Sequence, residues 1–148
     1  SNLIKERVIP LVKAQAKDRN ITIKTNFSNR PDLIVYCDPS RMAQILINLI
    51  TNAIKYNREA GSVILDYQKF QNSKVRITVT DSGPGIPQDK LETIFEPFYR
   101  LESNDPSTEG VGIGLTITKQ FVEKMGAQLF VESVLGEGTT FSVEFPPK

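Results

Sequence analysis

Residues 39–55 read Pro39-Ser-Arg-Met42-Ala-Gln-Ile45-Leu46-Ile-Asn48-Leu49-Ile50-Thr-Asn52-Ala53-Ile54-Lys55. Met42, Ile45, Leu46, Leu49, Ile50, Ala53 and Ile54 recur at i, i+3, i+4, i+7, i+8, i+11 and i+12. That period is the buried stripe of an amphipathic helix. Asp38 suits its N-cap, and Pro39 suits the first helical position, where a missing N–H loses nothing. A helix this apolar on one side needs a second layer to lie on.

The flanking sequence supplies that layer. Ile21 to Phe27 alternates with a period of two and predicts a strand, and Leu33 to Tyr36 a short second one. Ser62 to Phe70 and Lys74 to Asp81 predict two strands joined by Gln71-Asn-Ser73. Gln128–Ser133 and Thr139–Glu144 predict two more around Gly136-Glu-Gly138. Residues 1–19 carry a helical apolar pattern that Pro10 should bend. Pro87 to Phe95 predicts a short helix, and residues 97–112 a polar loop. Leu115, Ile117, Phe121, Val122 and Met125 mark another helix, with Gly126 as its stop. The expected fold class is α/β: a two-layer α/β sandwich, with a mixed, largely antiparallel sheet and helices on one face.

Composition limits the function. The 148 residues fit one domain, 1–148, and can bury roughly 68–70% of the unfolded surface. Net charge is +1, which gives no basic stripe for nucleic acid. The only cysteine, Cys37, cannot form an internal disulfide, and with no histidine a structural zinc site is not expected. No apolar run approaches the roughly 20 residues of a membrane span, so direct insertion is not expected.

Four blocks carry candidate chemistry. At about 100° per residue, Asn48, Asn52 and Lys55 fall on one strip beside the apolar stripe. Carboxamide oxygens are hard ligands suited to Mg²⁺, and an ammonium suits phosphate. The same spacing is also that of a solvated helix flank. Asp81-Ser-Gly83-Pro-Gly85-Ile86 ends an alternating strand. A carboxylate there can accept from an exocyclic amine, and the glycines could let backbone approach a flat ring; a plain Pro-Gly turn has the same composition. Gly110-Val111-Gly112-Ile113-Gly114-Leu115 opens a helix and could present N–H groups to phosphate, or act as a hinge. Gly136-Glu-Gly138-Thr139-Thr140 alone is a hairpin turn.

Taken in order, with Phe95-x2-Phe98-Tyr99-Arg100 between the second and third, these blocks resemble the N, G1, F, G2 and G3 boxes of sensor histidine kinases. The resemblance spans about residues 1–146 and implies a Bergerat-type ATP-binding fold. It implies ATP and Mg²⁺ as cofactors, with Asn52 as the metal ligand. Asn48, Lys55 and Tyr56 would lie along the phosphates. Asp81 would read the adenine amino group, helped by Thr140, with Gly83, Gly85 and Ile86 lining the base pocket. Gly110, Val111, Gly112, Ile113, Gly114 and Leu115 would form the lid hinge and touch phosphate, beside Tyr99. Arg100 would contact the γ-phosphate, making Asn48, Lys55 and Arg100 the catalytic set.

The resemblance implies an ATP-dependent protein-histidine kinase. With no histidine, however, this chain cannot supply the phosphoacceptor. The implied partners are a histidine-containing dimerisation domain of the same parent protein and a response regulator downstream of it. The helix at 1–19 would be the first helix of this domain, or partly the tail of that missing region. The isolated domain is expected to be monomeric and cytoplasmic, with a parent that is either soluble or membrane-anchored. Related hydrolytic ATPases place a glutamate one turn before the Mg²⁺ asparagine; here that residue is Asn48, which cannot take a proton. A related serine kinase or a catalytically silent nucleotide-binding module would also carry boxes of this kind.

Overall fold

The computed structural model describes residues 7–26, 39–70, 74–91, 94 and 114–146. Its elements are α1 (Ile9–Asp18), β1 (Thr22–Thr25), α2 (Pro39–Lys55), β2 (Ser62–Lys69), β3 (Val75–Asp81), α3 (Gly114–Lys124), β4 (Gln128–Val134) and β5 (Gly138–Phe145). The expected strand at 33–36, the Asp38 cap, the Phe95–Arg100 block and the 97–112 loop lie outside the described residues.

The seven stripe residues of α2 are all buried. They pack on one face of a sheet ordered β1-β2-β3-β5-β4. Only β1 and β2 run parallel; the other neighbours are antiparallel. The register puts Val63, Leu65 and Tyr67 opposite Asp81, Val79 and Ile77, and then Val79 and Ile77 opposite Phe141 and Val143. With a side-chain period of two, these rows share one face, and they are the buried positions of each strand. The two-layer sandwich is therefore as expected. Arg41 of α2 sits over the Phe121 ring of α3 at 5.8 Å, tying those helices together.

Pro10 itself falls in the first turn of α1, directly after a π-helical turn at residues 7–8. Two local expectations change. The strand expected at 21–27 is four residues, Thr22–Thr25. Of the helix expected at 87–95, the described residues form a 3₁₀ turn over Gln88–Lys90, with Ile94 buried and also in 3₁₀ conformation. Gly126 does stop α3 at a φ of +77°.

Across the opposite sheet face, Glu144 is buried between two cations. Arg76 donates to its Oε2 from Nε at 3.0 Å and Nη2 at 2.7 Å, and Lys74 pairs with Oε1. Arg76 also lies over the Phe70 ring at 5.4 Å. The Lys74 hydrogen bond, helped by Arg76 and opposed by burial, holds the Glu144 carboxyl below its ordinary value of 4.5. A lowered carboxyl pKa stabilises the fold above the unfolded value and loses that contribution as pH falls through the folded one. Thermal melts of wild type should therefore drop more steeply than those of Glu144→Gln as pH falls through this range.

Candidate active site

Asp81 closes β3 on the helix-facing side of the sheet, beneath the end of α2. It is 9% exposed. Gly83 N donates to its Oδ1 at 2.9 Å and Thr139 N to the same oxygen at 3.2 Å. Burial pushes the carboxyl above its ordinary value of 3.8, against the pull of those two amides. One oxygen is thus spent on backbone. The other, Oδ2, accepts from no described residue, so it is the acceptor left for a ligand.

Gly83 joins this carboxylate to α2. A Cβ there would lie 2.5 Å from the Tyr56 carbonyl and 3.1 Å from Asp81 Oδ1. Tyr56 N in turn donates to the Asn52 carbonyl at 3.0 Å, so Asn52 stands one turn, about 5.4 Å, up the helix. Asn48, Asn52 and Lys55 are all half-buried, at the rim of the core rather than on an exposed flank. Both ends of the Asn48 amide are engaged: Gln44 donates to Oδ1 at 2.8 Å, and Nδ2 donates to Thr118 Oγ1 of α3 at 3.2 Å. Among the described residues no group of His, Cys, Asp or Glu could hold a metal by itself.

The glycines serve packing first. Gly85 has a φ of +81°, and a Cβ there would stand 2.4 Å from the Val134 carbonyl. Ile86 is buried and its N–H donates to Ser133 Oγ at 2.6 Å. Neither contact needs a ligand to explain it. Thr140 requires a correction. It pairs with Thr80 across β3 and β5, and the two hydroxyls meet at 3.1 Å. Thr80 and Thr140 therefore share the sheet face opposite Asp81. The residue beside the carboxylate is Thr139, one step earlier in the strand. Tyr99, Arg100, Gly110, Val111, Gly112 and Ile113 lie outside the described residues; Gly114 begins α3, and Leu115 is half-buried in its first turn.

Several residues that hold this site together escape a reading by motif. Arg19, just past α1, donates to the carbonyls of Ile54 at 2.9 Å, Asn57 at 2.9 Å, and Lys55, closing the C-terminal end of α2. A cation there also suits the negative end of the helix dipole. Buried Asn57 donates to the Ser62 carbonyl at 2.9 Å and accepts from Ser82 Oγ at 3.1 Å. Arg58 donates to the carbonyls of Gly83 at 3.3 Å and Gly136 at 3.2 Å. Position and parity are the signals that point to them. Asn57 and Arg58 directly follow Lys55-Tyr56, and Thr139 keeps step with core residues Phe141 and Val143.

Residues 37–148 match the profile of the histidine kinase-, DNA gyrase B- and HSP90-like ATPases. The chain belongs to this family. Within the ATPase family its likeness is to histidine kinases. An adaptive-response sensory kinase SasA of Synechococcus sp. (strain JA-3-3Ab) is 36% identical over 141 residues, covering 95% of this chain and 36% of that protein. The catalytic domain of histidine kinase ThkA superposes with a TM-score of 0.78 at 33% identity, covering 98% of this chain and 90% of that one. Full-length ShkA in complex with AMPPNP gives 0.83 at 34%, covering 97% and 29%. ThkA in complex with response regulator TrrA gives 0.78 at 31%, covering 99% and 40%. This chain spans about a third of the length of the curated relatives it matches.

Proposed function

We propose that this chain binds Mg-ATP and passes the γ-phosphoryl group to a histidine on a separate acceptor domain, within a two-component sensor kinase. The observation that carries the reading is Asp81: a buried carboxylate with one oxygen fixed by two backbone amides and the other left for a ligand donor. An adenine amino group is such a donor. Likeness to ShkA, solved with AMPPNP, supports the nucleotide, and likeness to ThkA, solved with TrrA, supports a response regulator downstream.

The residues fit the groups they would hold. Asn52 offers a hard carboxamide oxygen for Mg²⁺ on the same helix end that Gly83 ties to Asp81. Mg²⁺ would supply charge to the phosphate oxygens. Lys55 and Tyr56 would lie along those phosphates, and Arg100 with the 110–115 backbone would complete the phosphate contacts. Phosphoryl transfer asks mainly for positioning and charge stabilisation, so this chain need furnish no base. Asn48 supports transfer over hydrolysis, since a carboxamide cannot activate water and this one is engaged at both ends.

Mixing the chain with the acceptor-helix fragment of its parent and γ-labelled ATP tests the reading. Label on histidine is the expected result; release of free phosphate alone would move the chain to the hydrolytic branch. Asn52→Ala should bring nucleotide affinity in Mg²⁺ down to the metal-free level, read by calorimetry with and without the ion. Equal losses in both conditions would remove Asn52 as the metal ligand.

A further inference from the structure

Ser133 lies on β4, buried, and no step above uses it. Its hydroxyl makes three contacts. Ile86 N donates to it at 2.6 Å. It donates to the Gly138 carbonyl at 3.0 Å. It also meets Thr139 Oγ1 at 2.9 Å. A serine hydroxyl has one proton and two lone pairs. Satisfying all three contacts at once puts that proton on Gly138 and makes the Thr139 hydroxyl the donor in the third. Ser133 thereby draws the only proton of the Thr139 hydroxyl into the protein interior. Thr139 is also the residue whose N–H holds Asp81 Oδ1.

We infer that Ser133 is a specificity-positioning residue: by consuming the Thr139 hydroxyl proton, it leaves the wall beside Asp81 with acceptors alone. Acceptors that face the C6 substituent receive the amino group of a 6-aminopurine and repel the oxygen of a 6-oxopurine. This rests on the nucleotide reading above. Without the Ser133 hydroxyl, the Thr139 proton turns either to the Asp81 carboxylate, blunting its acceptor, or toward the ligand, where it serves an oxo group. Both outcomes erode the same discrimination.

The test measures ADP and IDP affinities in Mg²⁺ by calorimetry. Wild type should prefer ADP. Ser133→Ala should shrink the ADP:IDP ratio by about tenfold, the size of one hydrogen bond gained or lost. Adding Thr139→Val should restore the ratio, because the stray proton is then gone. A purely structural role for Ser133 would lower both affinities together and leave the double variant worse than the single one. Ser133→Cys, of similar size with a weaker donor and acceptor, should shift the ratio in the same direction if Ser133→Ala fails to fold. An unchanged ratio in the folded variants overturns the inference. Failure of wild type to bind either nucleotide would instead overturn the nucleotide reading.

Discussion

Asp81→Asn should lower affinity for ATP and ADP by about a hundredfold or more while leaving the fold intact. The expectation follows from orientation. Gly83 N and Thr139 N both donate to one carboxylate oxygen. In the variant only the carboxamide oxygen can satisfy them, so it must take the Oδ1 position. The NH₂ group then stands where Oδ2 stood and presents a donor to a donor. Rotation does not rescue it, because the opposite rotamer would face two backbone N–H groups with an NH₂. The fold should not suffer. Burial raises the Asp81 carboxyl, so ionisation opposes folding at neutral pH, and a neutral amide removes that penalty. Melting temperature should stay level or rise as calorimetric binding disappears. Retained affinity would disconnect Asp81 from the base.

The same raised carboxyl gives binding a pH signature. Recognition of an amino group uses the ionised form, which is lost as pH falls through a pKa above the ordinary 3.8. Nucleotide affinity should therefore start to fall at a higher pH than an ordinary aspartate would allow. Asp81→Asn should show no such step in its residual binding.

The parts of this molecule legible in the sequence are those written as a period. The stripe from Met42 to Ile54 specifies both the helix and its buried side, because each position answers to one geometric rule. Alternation in Val75–Asp81 places Asp81 in step with Val79 and Ile77, on the core side. A motif reading misassigns Thr140 because it counts residues from a glycine and ignores strand parity; Phe141 and Val143 show that odd-numbered residues of β5 face inward. The parallel pairing of β1 with β2 is not legible, because a half-exposed four-residue strand carries no mark of its direction. Arg19 is not legible for a different reason. Its partners are backbone carbonyls 35–38 residues away, and carbonyls leave no trace in side-chain identity.

Gly138→Ala should be the most damaging single methyl in the described part of the chain. Two costs coincide there. The residue has a φ of +136°, where an L side chain is strained by about 1–3 kcal/mol. Its Cβ would also lie 2.0 Å from the Asp81 carbonyl oxygen, a backbone atom of the central strand that has no rotamer to yield. Relief requires β5 to move away from β3. That movement breaks the Thr139 N bond to Asp81 Oδ1 and the Ser133 contact with the Gly138 carbonyl. Gly126→Ala separates the two terms: its φ is +77°, but nothing lies within 4 Å of the added methyl. Strain alone should cost Gly126→Ala about 1–2 kcal/mol. Gly138→Ala should lose about 4 kcal/mol or more by chemical denaturation, and nucleotide binding with it. Equal losses at the two sites would mean that β5 shifts without resistance, and that Asp81 is not held by the closeness of that turn.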